Sequence, residues 1–217
     1  MFGLWSESLH QGLLWLEMSE SPRPVPAISR SGLCLPSWRW ACWNGQIVYP
    51  KHIVGCVPIF ELINIDVEAE EQQVELGIIE KPARLTIRAD ALELEDFTTT
   101  MVVDVTGWIS FHPPLHNLYK ANSKEAWFMR WIAFDGKRQK NIRFDKVLCA
   151  FISSYTEKEA VYNEEGSFIG EGDRQIWYFL LLLKFDGNSQ WYKRVGIGAT
   201  KDDSWRESVY NRIVNIE

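Results

Sequence analysis

The 217-residue chain holds only four cysteines, Cys34, Cys42, Cys56 and Cys149, none in CxxC spacing. That excludes a disulfide-dense scaffold. It has no Asn-x-Ser/Thr sequon, and no basic stretch ahead of an apolar one near Met1, so no signal peptide is expected. The longest apolar run, Ile176 to Leu183, is far short of the roughly 20 residues a membrane helix needs. Positive charge is also in deficit, with 23 Lys and Arg against 29 Asp and Glu and a net charge of -6. Nucleic-acid affinity rests on clustered cations, so a nucleic-acid partner is disfavoured, and Lys137-Arg138 reads as a solvated turn.

What the chain does have is aromatic mass, with 11 Trp, 11 Phe and 7 Tyr, and 46% hydrophobic residues overall. Such a chain buries a sizeable core and is not disordered. Three of the tryptophans crowd into Pro36-Ser37-Trp38-Arg39-Trp40-Ala41-Cys42-Trp43-Asn44-Gly45. If that segment is extended, Trp38 and Trp40 share one face and Trp43 takes the other. Rings filling a core are the favoured reading, because Trp dominates core energetics. An exposed platform for a sugar face, as in a carbohydrate-binding module, is the alternative.

Along the chain, Phe2, Trp5, Leu9 and Leu13 recur at helical spacing, so a helical segment is expected over 1–18. A Ser/Pro-rich connector follows over 19–36, and a β-rich body over 37–217. Strands are expected at 57–67 (Ile59, Ile63, Ile65 in alternation), 85–94, 101–105, 127–134 and 147–153. The alternation Leu85, Ile87, Ala89 slips by one residue before Leu92 and Leu94, which suggests a bulge or kink. Ile176 to Leu183 reads as a strand buried on both faces. Asp186-Gly187-Asn188-Ser189 then turns the chain into Trp191 to Val195 as a hairpin, and Asp135-Gly136 marks another turn. The acidic, glycine-containing stretch 156–174 reads as a long surface loop. The expected fold is mainly β: one domain, a β-sandwich or open barrel with a short N-terminal helix and long surface loops. The core candidates are Trp38, Trp40, Leu92, Leu94, Leu181 and Leu183, with Arg194 as a buried or semi-buried anchor.

No constellation nominates catalysis. His112 and His116 have metal-pair spacing, but Pro113 and Pro114 between them defeat a helix, and no third ligand stands nearby. Gly196-Ile-Gly198 lacks the third glycine of a dinucleotide loop, since Lys201 takes that position, so a close backbone approach at a strand end is the better reading. There is no Gly-x-Ser-x-Gly elbow. Cys34 or Cys42 with His52 could form a nucleophile and base, yet nothing argues for a lowered thiol pKa. Carboxylates such as Glu68, Glu70, Glu71, Glu93, Glu95 and Asp96 are too many for any pair to inform.

Several of these residues together resemble the C-terminal region of fungal heterokaryon-incompatibility (HET) domain proteins. Pro36-Ser37-Trp38-Arg39-Trp40-Ala41 with Gly45 is similar to that family's PSWSWAS…G motif. Gly3-Leu4-Trp5, Leu9 and Leu13-Leu14-Trp15 resemble its GLW…L…LLW segment. Ile63 to Val67, Leu85 to Arg88, Leu180 to Leu183, Tyr192 to Gly196, Trp205 and Arg212 to Ile216 resemble its later strands. Arg39 and Cys42 stand where small hydroxyl residues are usual. The HET domain proper lies upstream of this pattern in the family and is not in the sequence, so its death-inducing activity is not carried over. The Phe2, Trp5, Leu9 stripe is then expected to pack on something, a dimer or aggregation contact being one option.

The resemblance implies a non-enzymatic cytoplasmic module with a recognition or regulatory role in self/non-self response. Protein partners are expected, and no membrane, nucleic acid, cofactor, metal or catalytic residue is.

Overall fold

The computed structural model describes residues 8–17, 47–50, 52–66, 84–94, 97–101, 115–120, 130–135, 146–184, 189–201, 205 and 208–217. Trp38, Trp40, Trp43, Cys34, Cys42, His112, the 19–36 connector, Lys137-Arg138 and 185–188 lie outside the described residues. In chain order come helix α1 (Leu9–Gly12), strands β1 (Leu16–Glu17) and β2 (Ile47–Val48), and a 3-10 turn at Ile53–Gly55. Strands β3 (Val57–Pro58), β4 (Glu61–Asp66), β5 (Arg84–Glu93), β6 (Phe97–Met101), β7 (Leu115–Lys120) and β8 (Arg130–Phe134) follow. Four strands complete the fold: β9 (Val147–Tyr162), β10 (Phe168–Lys184), β11 (Trp191–Thr200) and β12 (Tyr210–Ile216).

The fold is mainly β, as its strand signals imply, and its centre is a closed five-stranded barrel with extra strands. The barrel runs β9, β5, β12, β11 and β10, and β10 closes it by pairing with both β9 and β11. All of these pairings are antiparallel except β11 with β12, which meet at Trp191 and Asn215 and at Tyr192 and Ile216. From the later part of β11 the sheet branches outward through β8 and β7 to β6. Closure removes the unpaired edges an open sheet would expose.

Two cores result. One draws on all five barrel strands, as a lumen must: Leu85, Ile87, Ala89 and Ala91 of β5, Ala150 and Ile152 of β9, Tyr178, Leu180 and Leu182 of β10, Ile197 of β11, and Val214 and Ile216 of β12. The other packs Phe151, Phe179, Leu181 and Trp205 with Leu94, Leu118 and Ile132. Alternate residues of β10 therefore enter different cores, and this is why its run of leucines is uninterrupted. Leu94 and Leu181 are fully buried, and Leu92 and Leu183 pack against the second core.

Three expectations need correction. The slip between Ala89 and Leu92 is no bulge, because β5 pairs with β12 and then β9 through those residues without a register shift. The strand simply passes from the lumen to the second core, so its buried face changes from odd to even positions. Residues 1–7 lie outside the described residues; from Ser8 on, the helical part of the expected 1–18 segment is Leu9–Gly12, and the chain is already extended at Leu16–Glu17. Leu13, Leu14, Trp15 and Leu16 are all buried, and four consecutive buried residues cannot share one helix face. Leu9 and Leu13 belong to the lumen core, so this part of the apolar stripe packs on the chain's own sheet rather than on a second copy.

The third correction concerns 156–174, which forms no loop. It is a β-hairpin built from the outer halves of β9 and β10, turning over residues 163–167. Asn163 makes the turn: its Oδ1 accepts from the backbone N–H groups of Glu165 and Ser167, and Gly166 adopts a φ of 80° that suits glycine. Ile63 and Ile65 also differ from expectation. Both are exposed, and Ile63 is the residue left over where the register of β4 on β5 shifts between Leu62 and Asn64.

Candidate functional site

Three groupings of polar and apolar side chains could carry function. The first is internal. Arg194 of β11 is buried, and its Nη2 donates to the Trp15 carbonyl at 2.6 Å and to Asp135 Oδ1 at 3.1 Å. Its guanidinium lies 3.7 Å from the centre of the Trp15 ring. Asp135 is itself held at the end of β8, its N–H donating to the Val195 carbonyl at 2.8 Å. Burial pushes its carboxyl up to about 6, against the lowering pull of Arg194 and then Lys193. The arrangement presents no reactive atom to solvent, and it ties the segment after α1 to the barrel wall. Arg194 is thus the buried anchor expected of it.

The second grouping lies where β3 meets β9. His52 stacks on Tyr155 with ring centres 4.4 Å apart, and its Nε2 is 3.8 Å from Glu157 Oε1. Lys201 Nζ donates to the other oxygen of Glu157 at 2.5 Å. The thiol beside His52 is Cys56, whose Sγ donates to the His52 carbonyl at 3.4 Å. His10 Nε2 meets the Cys56 carbonyl at 3.1 Å, so neither imidazole is placed on the sulfur. Burial pushes the Cys56 thiol up, the opposite of what a thiolate nucleophile needs. Burial likewise raises Cys149 and lowers His116, which stands edge-on to Phe134 at 5.3 Å. No cluster of three or more metal-ligating side chains occurs among the described residues.

Gly196 and Gly198 serve close packing within β11 rather than at its end. A Cβ on Gly196 would fall 2.2 Å from the Ala133 carbonyl oxygen. One on Gly198 would sit 2.5 Å from the Phe179 ring. The indoles described offer no sugar platform: Trp15 and Trp205 are buried, and Trp131, Trp177 and Trp191 are partly so.

The third grouping is the hairpin, at a stretch expected to be a loop. Over Tyr155–Tyr162 and Phe168–Ile176 the two strands pair only with each other among the described residues. Eight residues of strand make an arm of about 26 Å. Its tip exposes Val161 (40%), Tyr162 (60%), Phe168 (60%) and Ile169 (63%), the densest group of exposed large apolar side chains described. Tyr162 and Phe168 face each other across the strands, edge to face, with ring centres 6.0 Å apart. Below them Lys158 pairs with Asp173 at 2.5 Å and Arg174 with Glu159 at 2.6 Å. Over 155–175 there are six carboxylates against two cations, so the arm holds much of the chain's net charge of -6. The available signal was the pair of short apolar stretches Ala160-Val-Tyr162 and Phe168-Ile169 around the turn residues Asn163 and Gly166, masked by acid and glycine content.

No helix among the described residues is long and apolar enough to cross a membrane. No family model, curated protein or solved structure matches this chain.

Proposed function

We propose that this chain is a non-enzymatic, cytoplasmic recognition module that contacts protein partners through the β9–β10 arm. In this reading it does the work of the C-terminal region of fungal heterokaryon-incompatibility proteins, in recognition or regulation of self/non-self response. The observation that carries it is the arm tip. Four large apolar side chains stand exposed at the end of a hairpin whose strands, beyond its base, pair only with each other among the described residues. Exposed apolar groups of this density on an ordered element mark contact surfaces. The absence of a nucleophile paired with a base around Cys56 and His52 favours binding over catalysis.

A photo-crosslinking amino acid placed at Tyr162, at Phe168 and, as a control, at the exposed Tyr210 tests the assignment in fungal cells expressing the chain. Discrete adducts from the two arm positions, absent at Tyr210, are expected. Adducts at Tyr210 alone would place recognition elsewhere, and none at any position would remove the proposal.

A further inference from the structure

The tip has a charge pattern that narrows what it can hold. Lys158 and Arg174 are engaged with Asp173 and Glu159. Glu164 and Glu165 at the turn have no cation partner among the described residues, and Glu171 shares the field of Lys158 with Asp173. Glu164 and Glu165 therefore stand at the turn beside Val161, Tyr162, Phe168 and Ile169 without a cation partner described, and Glu171 adds negative charge on the Tyr162–Phe168 face. An anionic membrane surface is repelled by such an arm, as is a nucleic acid. A second copy of the arm, carrying the same surplus, is repelled too. What remains complementary is a polypeptide segment bearing cations around apolar side chains.

The backbone supplies a seat for such a side chain. Val161 is paired with Gly170, and Glu159 with Gly172, so one face of the arm has no side chain opposite these two positions. A Cβ on Gly170 would meet nothing within 4 Å, and one on Gly172 would touch only the Val161 methyl at 3.0 Å. Gly170 adopts a φ of 150° that itself favours glycine, whereas Gly172 does not, and glycine inside a strand commonly marks where another chain approaches closely. Here the bare backbone lies beside the exposed valine.

We infer that the arm tip binds a basic, apolar-bearing polypeptide segment, whose apolar side chain packs on Val161 over the bare backbone at Gly170 and Gly172 while its cations face Glu164 and Glu165 at the turn. This rests on the arm being the partner-binding element.

The test uses the whole chain and three labelled, end-capped peptides that alternate leucine with lysine, with serine or with glutamate, read by fluorescence anisotropy. The lysine peptide is expected to bind, and to weaken as salt rises. Gly172→Thr fills the seat, its Cβ 3.0 Å from the exposed Val161 methyl, and its thermal midpoint compared with wild type separates loss of binding from loss of fold. That variant and Glu164→Gln/Glu165→Gln are each expected to weaken the lysine peptide about tenfold, the scale of a contact that matters at an interface. Equal binding of the three peptides overturns the charge argument. Binding untouched by Gly172→Thr overturns the seat. No binding of the lysine peptide, or binding only to phosphatidylcholine/phosphatidylglycerol vesicles, overturns the proposal as a whole. In any of these cases, arm-specific adducts in the crosslinking experiment would leave the arm as the contact element and refute only the partner's chemistry.

Discussion

Replacing Asp135 by Asn sets two large electrostatic effects against each other, and the sign of the result decides between them. The carboxyl is buried beside Arg194, which by Coulomb attraction favours the ionised form, while desolvation favours the neutral one. Desolvation wins, and the group is held at about 6 against an ordinary 3.8. A raised carboxyl contributes stability that is fully present below pH 3.8 and is lost as pH rises through about 6. Two pKa units at 1.36 kcal/mol each make that loss about 3 kcal/mol above neutrality. Asn reproduces the neutral acid in shape and still offers an oxygen to Arg194. Asp135→Asn is therefore expected to be about 3 kcal/mol more stable than wild type near pH 7.5, the excess shrinking to about 1 kcal/mol near pH 4.5. Urea denaturation of both proteins at the two pH values measures it, and titration of the remaining carboxylates cancels in the difference. Had attraction to Arg194 outweighed burial, the substitution would strand a buried guanidinium and cost about 3–5 kcal/mol. A variant less stable than wild type at neutral pH refutes the argument.

Gly198→Ala should destabilise by about 1–3 kcal/mol or more, because the new methyl meets the Phe179 ring at 2.5 Å and the Trp131 carbonyl at 2.6 Å inside a packed wall. A thermal midpoint equal to wild type would refute that packing. Leu181→Ala, at a fully buried position of the second core, should cost about 2–5 kcal/mol by denaturant unfolding. Ile63→Ala, on the exposed side of β4, should stay within about 0.5 kcal/mol, and equal losses would contradict the layering. Alkylation followed by peptide mass analysis should leave Cys149 unmodified until the protein unfolds, since its thiol is buried and held well above its ordinary pKa. Rapid labelling under native conditions would show that the second core opens.

What could be read from the sequence follows from how each signal arises. The run from Ile176 to Leu183 announced a strand buried on both faces because burial on both faces needs no alternation. The pairing of β10 with β11 followed from the turn residues at 186–189. Arg194 was legible as an anchor, though nothing local to it named Asp135 or Trp15, which lie 59 and 179 residues away in the chain. The bulge assigned between Ala89 and Leu92 failed for a definite reason. Alternation reports which face is buried, and in a strand shared by two cores the buried face changes while the pairing does not. The arm was missed because hairpins are recognised by a buried face, and this one has almost none. Its strands are held by backbone pairing and exposed ion pairs, which leave a composition like that of a loop.

The same contrast bears on how recognition and architecture are divided. Of the positions that carry the resemblance to heterokaryon-incompatibility proteins, those described are mostly committed to the barrel. Leu9, Leu13 and Leu14 fill the lumen, Trp15 covers Arg194, and Leu180 to Leu182 line both cores. Gly196 admits the neighbouring strand, Trp205 closes the second core, and Val214 and Ile216 complete the wall. Residues so used tolerate little change, since a cavity or a clash there costs several kcal/mol out of a total of about 5–15. The arm contains none of these positions, and its outer residues touch little beyond each other. Substitution at Tyr162, Glu164, Glu165 or Phe168 therefore costs the barrel almost nothing. The arm beyond the barrel is thus a surface free to vary on a frame that is not.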